Sequence, residues 1–592
     1  REVATPVAAG MLIIALTFLP LLTLEGLEGK LFGPVALTIV FALGASLLLS
    51  LTVIPVLASF LLRSHVEHTP WLMRQVDRIY RPLLDAVLAR PRRALLPAVV
   101  ALVLGVAAYL GVGKTFMPTM DEGDILVQIA KSPAISLQRS AELDLAVGRA
   151  IKAKVPEVDH VVARVGSDEL GLDPMGLNET DMFLKLKPKA QWRNPDKAWL
   201  AEEIRKVLHG FPGMDIGFTQ PIEMRVSEML TGSRGDLAIK IFGPDLATLG
   251  TLAHQTAVAL EKVPGAQDIL TQTTEGVDYL QVVVDPVAAG RNGLAVADVQ
   301  DELRAQIDGM PAGIVIEPGR RTPILVRGGD EVRMSAQRFR TLRVALPGGG
   351  DIPLSAIATL KAGNGPVKVG REQGSRYALV QSNVDGRDLV GFVEEAKAAL
   401  ATAVKLPPGY RMEWGGQFES RQRAAARLGL VVPIALAAIF VVLFLSFGSL
   451  RQALLILGNI PFALVGGMLS LWLSGEYLSV PASVGFIALL GIAVLNGLVL
   501  VTCFNQLHDA GLEIAEVVRR GALQRVRPVL MTASITALGL VPLLLASGPG
   551  SEIQRPLAIV VIGGLVTSTA LTLLLLPILY QRYGIEPSKE RS

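Results

Sequence analysis

One cysteine, Cys503, occurs in 592 residues, inside an apolar stretch, which excludes a disulfide framework and a thiolate metal centre. Aromatic residues are also scarce, at 5%, and Phe116, Phe183 and Phe218 would line a cleft for organic molecules only thinly. Charged residues make up 18% against 51% hydrophobic, with a mean hydropathy of +0.46, a balance that excludes an ordinary soluble protein and fits a membrane protein with a large polar insert. The net charge of +3 selects no partner, and basic residues cluster beside apolar runs without interleaved aromatics, so nothing points to nucleic acid. A nucleophile elbow, a phosphate loop and an HExxH site are all missing, so no enzyme is indicated.

What the chain does contain is an internal repeat. Residues 6–57 align without a gap on residues 528–579, with 17 of 52 positions identical. Pro6, Pro20, Pro34 and Pro55 fall on Pro528, Pro542, Pro556 and Pro577. Proline fixes φ and removes a backbone donor, so matched prolines predict matched helix breaks and ends in a duplicated membrane protein. If the second copy starts near Arg93, the offset of 522 puts the start of the first roughly 430 residues ahead of Arg1, and a missing upstream segment is expected.

Eight apolar runs reach the length of about 20 residues that a bilayer core requires. They are 5–24, 31–62, 94–113, 428–450, 452–475, 477–504, 528–550 and 556–580, and none holds Asp, Glu, Lys or Arg. Arginines fill the loop 63–93 and recur at Arg451, Arg519, Arg520, Arg525 and Arg527, which marks these segments as cytoplasmic. Glu25, Glu28, Lys30, Glu476, Glu552 and Arg555 then face outward, and so does the polar insert 114–427. The stretch GLEIAEVVRRGALQRVRP reads as an interfacial amphipathic helix.

Within the insert the period of apolar residues predicts strands alternating with amphipathic helices. Strand 123–132, helix 136–155, strands 158–167 and 180–188, helix 196–211 and strand 214–220 form a βαββαβ, ferredoxin-like unit. A second unit opens at 235–243 with a helix at 245–263 and strands through 278–286. It resumes with 375–386, a helix at 389–404 and a strand at 410–417. Between its halves a Gly- and Pro-rich segment, about 287–370, reads as an inserted subdomain.

Several motifs in order, TFLPLLTLEGLEGKLFGP (17–34), FMPTMDEGD (116–124), GLAVADVQ (293–300), NIPFALVGG (459–467), GFIALLGIAVLNG (485–497) and RVRPVLMTASITALGLVP (525–542), resemble the heavy-metal efflux branch of the resistance-nodulation-division (RND) transporters. The resemblance implies a homotrimeric, proton-driven secondary antiporter in the inner membrane of a Gram-negative bacterium, working with a periplasmic adaptor and an outer-membrane channel. It would place helices of a truncated first repeat at 1–62, a cytoplasmic connector at 63–93 and a transmembrane helix at 94–113. Periplasmic porter subdomains would occupy 114–234 and, in two parts, 235–286 and 371–427, with the docking subdomain at 287–370. Five transmembrane helices at 428–580 and a cytoplasmic tail at 581–592 would complete the chain.

Three cleft positions that carry methionine in the copper and silver members read Gln128, Glu179 and Glu228 here. Carboxylates in place of thioethers suit a borderline or harder divalent ion, Zn²⁺, Co²⁺, Ni²⁺ or Cd²⁺. Asp181, Glu223 and Asp173 join Glu179 and Glu228 as candidate ligands, with Asp168 and Glu169 nearby; the metal is cargo, no resident cofactor is expected, and the proton is the coupling ion. Met175, Met182, Met224 and Met229 keep Cu⁺ open, while His160, His209 and His254 fall on predicted strand or helix as surface or core residues. Copper relatives carry a lysine and a glutamate where this chain has Val529 and Leu495, a further departure from copper. By the resemblance, the proton-carrying acids belong to the upstream helix, leaving Asn496 as a supporting residue. The expected function is therefore a fragment of a divalent-cation exporter. Its alternatives are an RND exporter of Cu⁺, Ag⁺ or organic compounds, and a membrane-tethered binding or translocation accessory that does not pump.

Overall fold

The computed structural model describes residues 4–61, 70–166, 175–232, 234–272, 276–329 and 336–584. Each of the eight apolar runs is mainly helical over its described residues. Six helices among the described residues are long and apolar enough to cross a membrane: Gly26–Leu51, Gln417–Phe447, Leu450–Ser474, Val480–Asp509, Ile514–Leu545 and Ser551–Tyr583. Val7–Thr23 and Leu95–Gly111 are shorter apolar helical stretches.

The N-terminal group comprises α1 (Ala4–Phe18), a 3₁₀ turn (Leu19–Thr23), α2 (Gly26–Leu51), α3 (Val53–Leu61), α4 (Trp71–Ala89) and α5 (Pro91–Gly111). Two expectations change here. The segment 63–93 contains a helix, α4, whose Met73, Val76, Tyr80, Leu84 and Leu88 recur every three or four residues and pack on the helical core. Glu28, expected in an outward loop, is buried in the first turn of α2, because that helix starts five residues earlier than its apolar run.

The matched prolines give similar helix pairs but not matched breaks. The first copy is interrupted at Thr52 ahead of Pro55, whereas Ser551–Tyr583 runs unbroken through Pro577. Pro577 cannot donate to the carbonyl four residues back, Leu573, and the Tyr80 hydroxyl donates to that oxygen instead at 2.8 Å. Around Pro55 the residues Val53, Ile54, Val56, Leu57 and Phe60 are exposed. The predicted interfacial helix is likewise not separate, since one helix runs from Ile514 to Leu545. Helices pack closely where glycines meet: a Cβ at Gly466, Gly563 or Gly564 would overlap Thr567, Ser470 or Leu489.

The polar insert holds two α/β units. In the first, β1 (Ile125–Ala130), α6 (Leu137–Lys154), β2 (Val158–Val165), β3 (Glu179–Leu186), α7 (Lys197–Leu208) and β4 (Asp215–Thr219) form an antiparallel sheet of order β2-β3-β1-β4. Ser136 and Asp196 cap its helices by accepting from the backbone N–H of Arg139 and Ala198. Val127, Ile129, Met182 and Leu184 meet Val147, Ile151, Leu200 and Ile204 in its core. Helix α8 (Pro221–Thr231) then leads to the second unit.

There β5 (Leu237–Phe242), α9 (Leu246–Leu260) and β6 (Ala266–Thr271) come first, followed by β7 (Val277–Val284), α10 (Pro286–Arg291), α11 (Val296–Ile307), the hairpin β8 (Met310–Glu317) and β9 (Arg320–Val326), and the short β10 (Arg343–Ala345) and β11 (Asp351–Pro353). β12 (Ala358–Gly365), β13 (Gly370–Glu372), β14 (Ser375–Val384), helix Leu389–Ala403 and β15 (Arg411–Gly416) follow. The sheet has the order β13-β14-β5-β15, with β6 also on β14. The strand expected at 278–286 pairs with β12 and not with this sheet, so the inserted region starts near Val277. Its own small core gathers Ala289, Leu294, Val299, Leu303, Val344 and Leu354. At Gly416 the chain turns from β15 into helix Gln417–Phe447 with φ 80°, where a Cβ would stand 2.6 Å from the Asp236 carbonyl, so only glycine fits.

Candidate cation site

The two units are stapled by Asp268, a non-glycine residue at φ 52°. Its carboxylate accepts from Arg205 Nη2 at 2.6 Å and from the Phe218 N–H at 3.0 Å, and Asn383 Nδ2 donates to it at 3.1 Å and to the Phe218 carbonyl at 2.9 Å. Burial pushes the Asp268 carboxyl upward, against the pull of Arg205. Above this staple the sheets part into a cleft with an empty volume of about 800 Å³.

One wall is built by β1 and β3. Side chains alternate along a strand, so Met182 and Thr180 face the helix-covered core while Glu179 and Asp181 face the cleft. Asp181 lies directly opposite Gln128 of β1. Behind the sheet a buried Lys131 ammonium donates to Thr180 Oγ1, Asp144 Oδ2 and Ser140 Oγ at 2.6, 2.9 and 2.9 Å, which holds β3 in place. The opposite wall comes from β6 and β14, through Leu270, Thr271, Tyr377, Leu379 and Gln381. Helix α8 contributes Glu228. Glu122 accepts from the first N–H groups of that helix, Ile222 at 2.6 Å and Glu223 at 2.7 Å, and Gly232 ends it at φ 69°.

Of the five candidate ligands the fold brings Glu179, Asp181 and Glu228 into this cleft, with Gln128. Asp173, with Asp168 and Glu169, lies outside the described residues. Glu223 is not in the cleft; it lines a second pocket at the foot of the unit with Glu122, Phe116, Met117 and Leu31. The reason is helical geometry: five residues at about 100° each turn Glu223 about 140° away from Glu228. Burial there, reinforced by Asp236 and Glu122, pushes the Glu223 carboxyl up to about 7. Asp236, deeply enclosed, is raised as well by burial.

Among the described residues no methionine lines the cleft. Met182 and Met224 are fully buried, Met175 packs under Arg164, and Met229 is 85% exposed. His160 and His254 are exposed and His209 caps α7. Asn496 is buried in helix Val480–Asp509, its amide nitrogen without a hydrogen-bond partner among the described residues.

The basic residues of the cleft are what sequence reasoning misses. Arg234 Nη1 donates to Asp181 Oδ1 at 3.0 Å, while its Nε and Nη2 donate to Glu228 Oε1 at 3.0 and 2.9 Å. Arg164 pairs with the other Asp181 oxygen, Arg225 with Glu228 Oε2 at 3.1 Å, and Lys368 approaches Glu179 at 3.9 Å. Burial works against the Arg234 charge, but Asp181, Glu228 and Glu179 outweigh it and hold the guanidinium more firmly protonated than usual. The signal lies in RVSEMLTGSRGD, where arginines bracket the acid. In this arrangement no three His, Cys, Asp or Glu among the described residues are placed to hold a metal together. Gln128, only 7% exposed, directs an amide nitrogen with no hydrogen-bond partner among the described residues toward the same region. It adds a polar group to a cleft that charged and apolar side chains line together.

Comparison with known proteins is consistent along the chain. The AcrB/AcrD/AcrF family matches residues 1–583. The cobalt-zinc-cadmium resistance protein CzcA of Cupriavidus metallidurans is 43% identical over 589 residues, 98% of this chain and 55% of the relative. The nickel and cobalt resistance protein CnrA of the same organism is 39% identical over 587 residues, 98% and 54% respectively. A crystal structure of a heavy metal efflux pump superposes with a TM-score of 0.84 at 37% identity, covering 98% of this chain and 57% of that one. The chain thus spans about half the length of the relatives it matches.

Proposed function

The chain belongs to the AcrB/AcrD/AcrF family, and on that premise we propose that it is part of a proton-driven antiporter that exports divalent heavy-metal cations, Zn²⁺, Co²⁺, Cd²⁺ or Ni²⁺. The observation that carries the reading is the meeting of Glu179, Asp181 and Glu228 in one cleft between the α/β units, with no thioether on its walls among the described residues. Oxygen donors favour borderline and harder divalent ions, and sulfur donors would favour Cu⁺. The names of the relatives CzcA and CnrA, which speak of cobalt, zinc, cadmium and nickel, support the same class.

In this reading the two α/β units form the porter walls in the periplasm, and the region from Val277 to β12 is the docking subdomain toward an outer-membrane channel. The assembly would be a trimer in the inner membrane, with an adaptor protein outside it. Cations would enter the cleft from the periplasm or the cytoplasm and leave as the walls move about the Asp268 staple. The proton-carrying acids would lie on the helix that packs against Asn496.

Zn²⁺ titration of the purified chain in detergent, wild type against Glu179→Ala with Glu228→Ala, tests this. Binding weakened at least about tenfold, equivalent to about 1.4 kcal/mol or more, is expected of the double variant. Equal affinity would remove the cleft from consideration.

A further inference from the structure

We propose that Arg234 is a displaceable internal counter-cation: its guanidinium bridges Asp181 and Glu228 where a divalent ion would sit, so that docking of Arg234 and binding of the ion exclude each other. The inference deepens the cation-export reading and rests on it.

Three features single out this residue. Its three donors reach carboxylates on two different elements, β3 and α8, so it joins the two halves of the candidate ligand set. Zn–carboxylate distances are about 2.0–2.2 Å, whereas each carboxylate here stands about 3 Å from an intervening guanidinium nitrogen. The guanidinium thus stands between the two acids, and no preformed metal cluster is found among the described residues.

The attachment of Arg234 also permits release. Arg164 reaches Asp181 from β2 within the same sheet, and Arg225 reaches Glu228 from the same helix, so neither separates the two elements. Arg234 instead stands between Gly232 and Gly235, after the end of α8, its backbone N–H held by Gln381 Oε1 at 3.1 Å. A long side chain pivoting on that anchored backbone moves its charge out of the cleft without moving the strand. Exchange of a guanidinium for M²⁺ changes the charge of the cleft by one unit instead of two. A monovalent ion gains nothing in charge and loses three hydrogen bonds, so the same residue sets a threshold against Na⁺ and K⁺.

The test uses the 592-residue chain in detergent with Zn²⁺ alone as probe. Calorimetry should show Arg234→Gln binding Zn²⁺ at least about tenfold tighter than wild type, with Arg234→Lys between them. On the wild-type protein, phenylglyoxal labelling of Arg234, read by peptide mass spectrometry, should rise several-fold at saturating Zn²⁺, and this arm does not depend on a variant that folds. Unchanged or weaker affinity in folded Arg234→Gln overturns the inference, as does unchanged labelling once Zn²⁺ is bound. In either case, loss of binding in Glu179→Gln would leave the export reading standing. Zn²⁺ affinity indifferent to Glu179→Gln and to Arg234→Gln alike would remove both.

Discussion

Two groups of carboxylates sit on helix α8 and its neighbours, and they have opposite surroundings. In the cleft, Asp181, Glu228 and Glu179 each face a basic side chain, and Arg234 spans two of them. At the foot, Glu223, Glu122 and Asp236 face one another, and burial plus mutual repulsion raises Glu223 to about 7. The contrast shows that acid density in the sequence does not define a cation site. A carboxylate paired with a basic side chain can exchange that partner for a competing cation, whereas burial among other acids raises the proton affinity of Glu223.

The sharpest way to break the contrast is to remove the acid between two arginines. Asp181 is fully buried against Arg164 and Arg234, so Asp181→Ala, which takes from both the buried carboxylate they share and leaves Arg234 only Glu228 of its two bridged acids, should cost about 3–5 kcal/mol of stability, read as a large drop in thermal midpoint in detergent. A loss under about 1 kcal/mol would mean that the cleft relaxes to solvate the two arginines.

At the foot the sign differs. Glu223 has its folded pKa raised above its ordinary value of 4.5, so its contribution is fully present below about pH 4.5 and is lost as pH rises toward 7. Wild type should lose up to about 3 kcal/mol over that window from this group, since each tenfold change in proton affinity is worth about 1.4 kcal/mol. Glu223→Gln should remove that part of the slope, as measured by urea or thermal unfolding at stepped pH. An unchanged slope would assign the pH dependence elsewhere.

Away from both acid groups, Tyr80→Phe should cost about 1–2 kcal/mol, because the Leu573 carbonyl that Pro577 cannot serve loses its donor. Pairing with Pro577→Ala, which restores a helical N–H, should reduce that cost, and a double-mutant cycle measures it. Smallest of all, Met229→Ala should leave both stability and Zn²⁺ affinity within about 0.5 kcal/mol, since this side chain is exposed and outside the cleft. A Zn²⁺ affinity lowered by that change would bring the thioether back as a ligand.

Much of the architecture is legible in the sequence because it depends on local period. The eight apolar runs are mainly helical over their described residues, and the βαββαβ order of 123–220 appears with strand ends displaced by only a few residues. Sequence reasoning puts the strand at 278–286 in the wrong sheet, because its pairing with β12 joins segments about 80 residues apart and nothing in either strand names its partner. The helix α4 is hidden within 63–93 because the arginines that alternate in sequence with its apolar stripe are read as a loop signal.

For the site, alternation along β3 places Glu179 and Asp181 on one face, and that much follows from strand geometry. Grouping Glu223 with Glu228 relies on closeness in sequence, which a helix converts into opposite faces. The resemblance to known transporters locates the cleft residues but says nothing of the charges balancing them.

By itself the sequence determined which segments are apolar enough for a membrane, that the chain is duplicated, and that oxygen donors stand where sulfur could have been, since these are properties of residues in order. Only the tertiary structure decided that Arg234 lies between Asp181 and Glu228 and that Tyr80 serves the carbonyl left bare by Pro577. The pairings of Arg234 with Asp181 and of Tyr80 with Leu573 join residues far apart along the chain, and their energy comes from burial, which exists only once the chain has closed around them.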